Sequence, residues 1–93
     1  MTDDLTDRIH AAAEALRQIG AQAVYLFGSA AHGEPGKARD IDLAVEGLPP
    51  ERFFKAMDRA ARILRCRFDL VDLDEDNAFT RYLKDEGELV RVE

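Results

Sequence analysis

A chain of 93 residues with 34% charged and 46% hydrophobic side chains can bury one small core and leaves no length for a second, so residues 1–93 are read as a single domain. Its formal charge of −6 argues against a nucleic-acid backbone binder, which needs clustered Lys and Arg, and suits a basic protein partner better. The single cysteine, Cys66, excludes an internal disulfide and fits a reducing cytoplasm. No apolar run reaches bilayer length and no leader pattern is present, so a cytoplasmic chain with no membrane contact is expected.

Taken in order, Thr2 is placed to cap a first helix, with Asp3 and Asp4 near the positive end of its dipole. Leu5, Ile9, Ala12, Leu16 and Ile19 follow the four-three spacing of one helical face, and Gly20 stops the helix. Residues 22–28 form a strand too apolar to be exposed on either face. Gly33, Pro35 and Gly36 break the next segment, which is read as one helical turn after Ser29 and then a loop. A second strand runs from Asp40 to Glu46. Pro50 and Glu51 open a second helix whose stripe is Phe53, Met57, Ala60, Ala61 and Leu64. A third strand spans Arg67 to Leu73. Asp76 or Asn77 caps a last helix carrying Phe79, Tyr82 and Leu83 on its apolar side, Gly87 ends it, and residues 88–92 form a short strand or docked tail. Strands separated by helices predict an α/β domain, a small sheet flanked by helices.

The chemistry is concentrated in residues 24–45. Asp40 and Asp42 alternate with Ile41 and Leu43, so on a strand the two carboxylates share a face. Two such acids repel unless positive charge lies between them, and a hard cation such as Mg²⁺, which takes one or two carboxylates plus substrate phosphates, suits the pair. Upstream, Gly28 lets the backbone approach a phosphate closely and the Ser29 hydroxyl can donate to it. Asp69 is the candidate third carboxylate, an acid on the same strand face as Val71 and Leu73; Asp72 competes with it, and a one-residue register slip would exchange their faces. His32, Lys37 and Arg39 in the loop are weaker candidates for phosphate contact. Cys66 reads as a small boundary residue, and Tyr25 and Tyr82 as core-edge aromatics.

Gly28-Ser29, ten intervening residues and then Asp40-Ile41-Asp42 resemble the active-site motif of the nucleotidyltransferase superfamily that includes DNA polymerase beta and kanamycin nucleotidyltransferase. The chain's short length is similar to its smallest branch, the minimal nucleotidyltransferases (MNT) paired with HEPN-domain toxins. The resemblance implies a mixed sheet of the palm type. It implies that Asp40, Asp42 and Asp69 hold metal ions, two Mg²⁺, against the phosphates of a nucleoside triphosphate, with Gly28 and Ser29 at those phosphates. It further implies that Asp69 helps remove the acceptor's proton, that ATP is the AMP donor, and that a tyrosine of a HEPN ribonuclease toxin is the acceptor, which makes the chain an antitoxin. Two departures stand out. Members carry arginines after the Gly-Ser pair, where this chain has Ala30, Ala31 and His32, and serine before the first aspartate, where it has Arg39. These departures leave open an antitoxin that acts by binding only; a transferase for a small molecule that needs a second subunit is a separate alternative.

Overall fold

The computed structural model describes residues 4–28, 31, 40–87 and 89–93. In chain order it contains helix α1 (Leu5–Ile19), strand β1 (Ala23–Phe27), strand β2 (Ile41–Glu46), a 3-10 turn at Pro50–Arg52 leading into helix α2 (Phe53–Leu64), strand β3 (Phe68–Asp72), helix α3 (Ala78–Asp85) and strand β4 (Val90–Arg91). The four strands make one sheet in the order β3-β2-β1-β4. β1 runs antiparallel to β2 and to β4, whereas β2 and β3 run parallel, joined by α2 as their crossover. The expected mixed sheet flanked by helices is therefore the observed architecture.

Alternation along each strand sorts the core. Val24, Leu26, Ile41, Leu43, Val45 and Leu70 point to the side covered by α1 and α2, where Ile9, Leu16 and Leu64 complete a continuous apolar cluster. The buried alanines Ala12 and Ala13 on α1, and Ala56 and Ala60 on α2, are small enough to let those helices pack closely against each other. The opposite face holds a smaller cluster of Ala44, Leu73 and Leu83, with Tyr25, Phe27, Val71 and Leu89 around it. Each fully buried Leu or Ile contributes about 1.5–3 kcal/mol, so the helix-covered face dominates stability.

Several details differ from the sequence-based expectation. Residue Thr2 lies outside the described residues, and the N-cap of α1 is Asp4, whose carboxylate accepts the Asp7 amide at 2.9 Å. Asp40 stands one residue ahead of β2 instead of opening it. On α2 the buried side is Ala56, Ala60 and Leu64, with Ala61 exposed, because the helix is turned toward Ala56 as it packs on α1. The chain end is a strand, its Val90 and Arg91 opposite Leu26 and Tyr25. No helix among the described residues is long and apolar enough to cross a membrane.

Helix α3 begins with a reciprocal cap: the Asn77 side chain accepts the Thr80 amide at 2.9 Å, and Thr80 Oγ1 accepts the Asn77 amide at 3.2 Å. Thr80 is fully buried and also donates its hydroxyl to the Glu75 carbonyl at 2.5 Å. Replacing it by the similarly shaped valine keeps the volume and strands the Glu75 carbonyl and the Asn77 amide. Thr80→Val is expected to lower the unfolding free energy by about 1–3 kcal/mol, read as a reduced urea midpoint at unchanged m-value.

Candidate active site

The site is set by where two strands begin and one ends. Asp42 is the second residue of β2, flanked by Ile41 and Leu43, both fully buried on the helix-covered side. Alternation therefore sends its carboxylate to the other face. The parallel register sets Asp42 beside Asp69, Ile41 beside Phe68 and Leu43 beside Leu70, so Asp69 faces the same way as Asp42. Across the antiparallel pair, Phe27 is the partner of Asp42. Its ring meets the ring of Phe79 edge-on, with centroids 6.0 Å apart.

Asp40 stands outside the strand and is exposed. Arg67 Nε lies 3.8 Å from Asp40 Oδ1, a loose ion pair in solvent, and the backbone below is tied by the Ile41 amide donating to the Arg67 carbonyl at 3.1 Å. Asp40, Arg67, Phe68 and Asp69 line a cleft of about 130 Å³. The three aspartates form one electrostatic group. The Asp42 carboxyl is held above its ordinary pKa, first by burial, then by the negative charge of Asp69, then by that of Asp40. Among the described residues no three carboxylate, imidazole or thiol groups converge closely enough to cage an ion as they stand.

Gly28 closes the site from the end of β1. Its φ is +72°, and a Cβ built on it would run into Asp42 Oδ2. Glycine is thus required here on two counts, the left-handed backbone and the space that the Asp42 carboxylate occupies. The Gly28 carbonyl accepts the Ala31 amide at 3.1 Å. Ser29, the other expected phosphate contact, lies outside the described residues, as do His32, Lys37 and Arg39. Among the described residues, the side-chain donors gathered here are carboxylate oxygens whose mutual repulsion is only loosely offset by Arg67. That set fits a hard divalent cation and would suit neither a thiophilic nor an imidazole-bound metal.

Asp72, the competing acid, falls beside Val45 in the register and thus on the other strand face from Asp69. Its Oδ1 accepts the Asp74 amide at 2.9 Å, and Asp74 Oδ2 accepts the Gly47 amide at 2.8 Å. Those two acids stitch the far ends of β2 and β3 together. Arg67 was not singled out from sequence. Its one signal was a position two residues ahead of Asp69, and its approach to Asp40 exists only through the parallel pairing. A larger cavity of about 400 Å³ opens elsewhere, between α1 and α2. It contains no acid, so the carboxylate group rather than the larger hollow defines the candidate site.

The model of the polymerase beta nucleotidyltransferase family matches residues 10–91. The chain belongs to this family. Its domain is similar in structure to a toxin–antitoxin complex crystallised with AMP-PNP, at 26% identity and a TM-score of 0.65, covering 94% of this chain and 71% of that one. It is also similar to a tri-AMPylated Shewanella oneidensis HEPN toxin in complex with its MNT antitoxin, at 23% identity and a TM-score of 0.65, covering 96% and 71% of the two chains. An MntA–HepT toxin–antitoxin structure matches at 22% identity with a TM-score of 0.57, over 91% of this chain and 68% of the other. The last two likenesses establish the fold alone. No curated protein sequence matches the chain. In this nucleotidyltransferase domain the paired strands that carry Asp42 and Asp69 both lie within the matched span.

The raised pKa of Asp42 has a defined consequence for stability. The folded state holds the Asp42 proton more tightly than the unfolded chain does, so the ionised carboxylate disfavours folding once the pH rises through the folded-state value. Asp42→Asn removes that burden. Without divalent cations it is expected to stabilise the protein at neutral pH by about 0.2–1 kcal/mol, the scale of a cross-strand charge interaction. The gain should vanish below the ordinary value of 3.8, where the wild-type carboxyl is protonated in both states. Thermal melts of the two proteins across the acid range measure it.

Proposed function

We propose that this domain is a metal-dependent protein adenylyltransferase that moves AMP from ATP to a tyrosine hydroxyl of a HEPN ribonuclease toxin, and so serves as the antitoxin of that pair. The observation that carries the reading is the side-by-side register of Asp42 and Asp69, with the charge of Asp69 and then Asp40 helping to raise the Asp42 pKa beside the Gly28 turn. Family membership supports nucleotidyl transfer. The AMPylated HEPN toxin and the AMP-PNP complex among the similar structures support the choice of nucleotide and of partner.

In this reading Asp40, Asp42 and Asp69 hold Mg²⁺, whose charge offsets that of the triphosphate and of the developing transition state. Gly28 makes the room that the Asp42 carboxylate fills, and Ser29 donates to the outgoing phosphates. The tyrosine oxygen attacks the α-phosphorus in line. A new phosphorus–oxygen bond to the tyrosine forms as the bond to pyrophosphate breaks, and pyrophosphate leaves. Asp69, solvent-exposed at the edge of the cleft, accepts the phenolic proton and passes it to water. In this reading the acceptor surface is the partner's own.

The alanines that follow the Gly-Ser pair favour a second reading, in which the same fold neutralises the toxin by binding alone. Incubation with labelled ATP, Mg²⁺ and a candidate HEPN partner protein separates the two. Label is expected on the partner's tyrosine, with Asp42→Asn and Asp69→Asn each lowering the transfer rate by at least about 10²-fold while the complex still forms. A tight complex that never acquires label with any divalent cation would establish the masking role and end the catalytic one. In parallel, Mg²⁺ or Mn²⁺ is expected to raise the melting temperature of the wild type and not that of Asp42→Asn.

A further inference from the structure

Behind the sheet, on the side away from the aspartates, α1 and α2 leave a groove of about 400 Å³ lined by Ala15, Gln18, Ile19, Arg52, Lys55 and Arg59. The three cations recur at spacings of three and four, so they form one stripe from the 3-10 turn into the first half of α2. Arg52 is held in place: its Nη1 donates to the Ile19 carbonyl at the end of α1, at 2.8 Å. Gly20, at φ +137°, leaves the room for this, because a Cβ there would come within 3.1 Å of the same nitrogen. Among the described residues neither Lys55 nor Arg59 has an acidic partner, whereas Arg62 further along the helix is paired with Asp58 at 2.9 Å. A protein of net charge −6 thus gathers three unneutralised cations around one hollow. The other wall, Ala15, Gln18 and Ile19, offers aliphatic and amide surface.

We propose that this groove docks an acidic segment of a partner protein, independently of the carboxylate site. Charge complementarity calls for an anion, and the groove's composition favours a peptide over a nucleic acid. Three cations release few counterions from a phosphate backbone, so they hold it weakly at physiological salt, and the remaining acidic surface repels a long polyanion. The uncharged wall gives a phosphate chain nothing to bind, yet it accommodates the side chains between the acids of a peptide. Exposed ion pairs are individually weak, so the stripe orients and steers the segment while the Ile19 wall adds contact area.

The test uses the intact chain and a fluorescent helical peptide with glutamates at alternating three- and four-residue spacing, with oligouridine and inorganic polyphosphate as comparison probes. Anisotropy is expected to rise with the peptide and to weaken with added salt. The double variant Lys55→Glu, Arg59→Glu should weaken binding by about tenfold or more, Lys55→Gln, Arg59→Gln by less, with amide shifts at Gln18, Ile19 and Lys55 in nuclear magnetic resonance spectra of the wild type. Circular dichroism of each variant checks that it is folded. Absence of peptide binding, binding indifferent to both variants, or tighter binding of oligouridine or polyphosphate lost in the same variants would each overturn the proposal. Failure here leaves the nucleotidyltransferase reading standing, since that reading uses no residue of the groove.

Discussion

The parallel register between β2 and β3 is the constraint on which the site depends. It sets Asp42 and Asp69 side by side, an arrangement that repulsion alone would undo. The pairing is pinned at both ends by backbone bonds, from the Ile41 amide to the Arg67 carbonyl and from the Leu73 amide to the Val45 carbonyl. The side chains between the acids add the decisive weight. A slip of one residue would drive Asp69 into the apolar cluster and push Leu70 out of it. Burial of Ile41, Leu43 and Leu70 contributes about 1.5–3 kcal/mol each, while a like-charge neighbour costs about 1 kcal/mol at most. The fold therefore keeps an unfavourable acidic pair in place with a wide margin.

That margin comes from a division of labour between the sheet's two faces. Helices α1 and α2 cover one face, and the main core lies there. The other face is covered only in part. Helix α3 shields Ala44 and Leu73 through Leu83, and its start is anchored by the buried Thr80 hydroxyl. The edge-on contact of Phe27 with Phe79 lies at the boundary, since Phe27 is also the cross-strand partner of Asp42. Phe79 is half exposed, so the covering ends there and the carboxylates begin.

Local pattern made the elements legible: the stripe Ile9, Ala12, Leu16, the alternation in β2, and a capping residue at Asn77 all follow from side chains a few positions apart. Pattern left Asp69 and Asp72 competing for the place beside Asp42, and the parallel register, with Phe68 and Leu70 on the helix-covered side, decides for Asp69. What pattern could not supply are contacts made across the fold. Ala56 was missed and Ala61 overcounted because a helical stripe is known from sequence to within one residue of rotation, and packing against α1 decides it. Arg67 and Arg52 acquire their partners, Asp40 and the Ile19 carbonyl, only from pairing and packing between distant segments. Several acids in the run after Phe68 looked alike in sequence; hydrogen bonds to the Asp74 and Gly47 amides separate the turn-forming ones from Asp69.

The net charge of −6 is a poor guide to what such a molecule meets, because it is a sum over surfaces that do not see each other. Screening at physiological salt has a length of about 8 Å, and the helix layer that lies between the two surfaces is by itself about 10–12 Å across with its side chains. The aspartates on one side and the Arg52, Lys55 and Arg59 stripe on the other are therefore electrostatically separate surfaces. An approaching ligand responds to whichever surface it faces. The overall acidity that argued for a basic partner describes the carboxylate side and misdescribes the helical one. Sequence alone could have counted these charges but not assigned them to faces, since the assignment requires α2 to cross behind the sheet between β2 and β3.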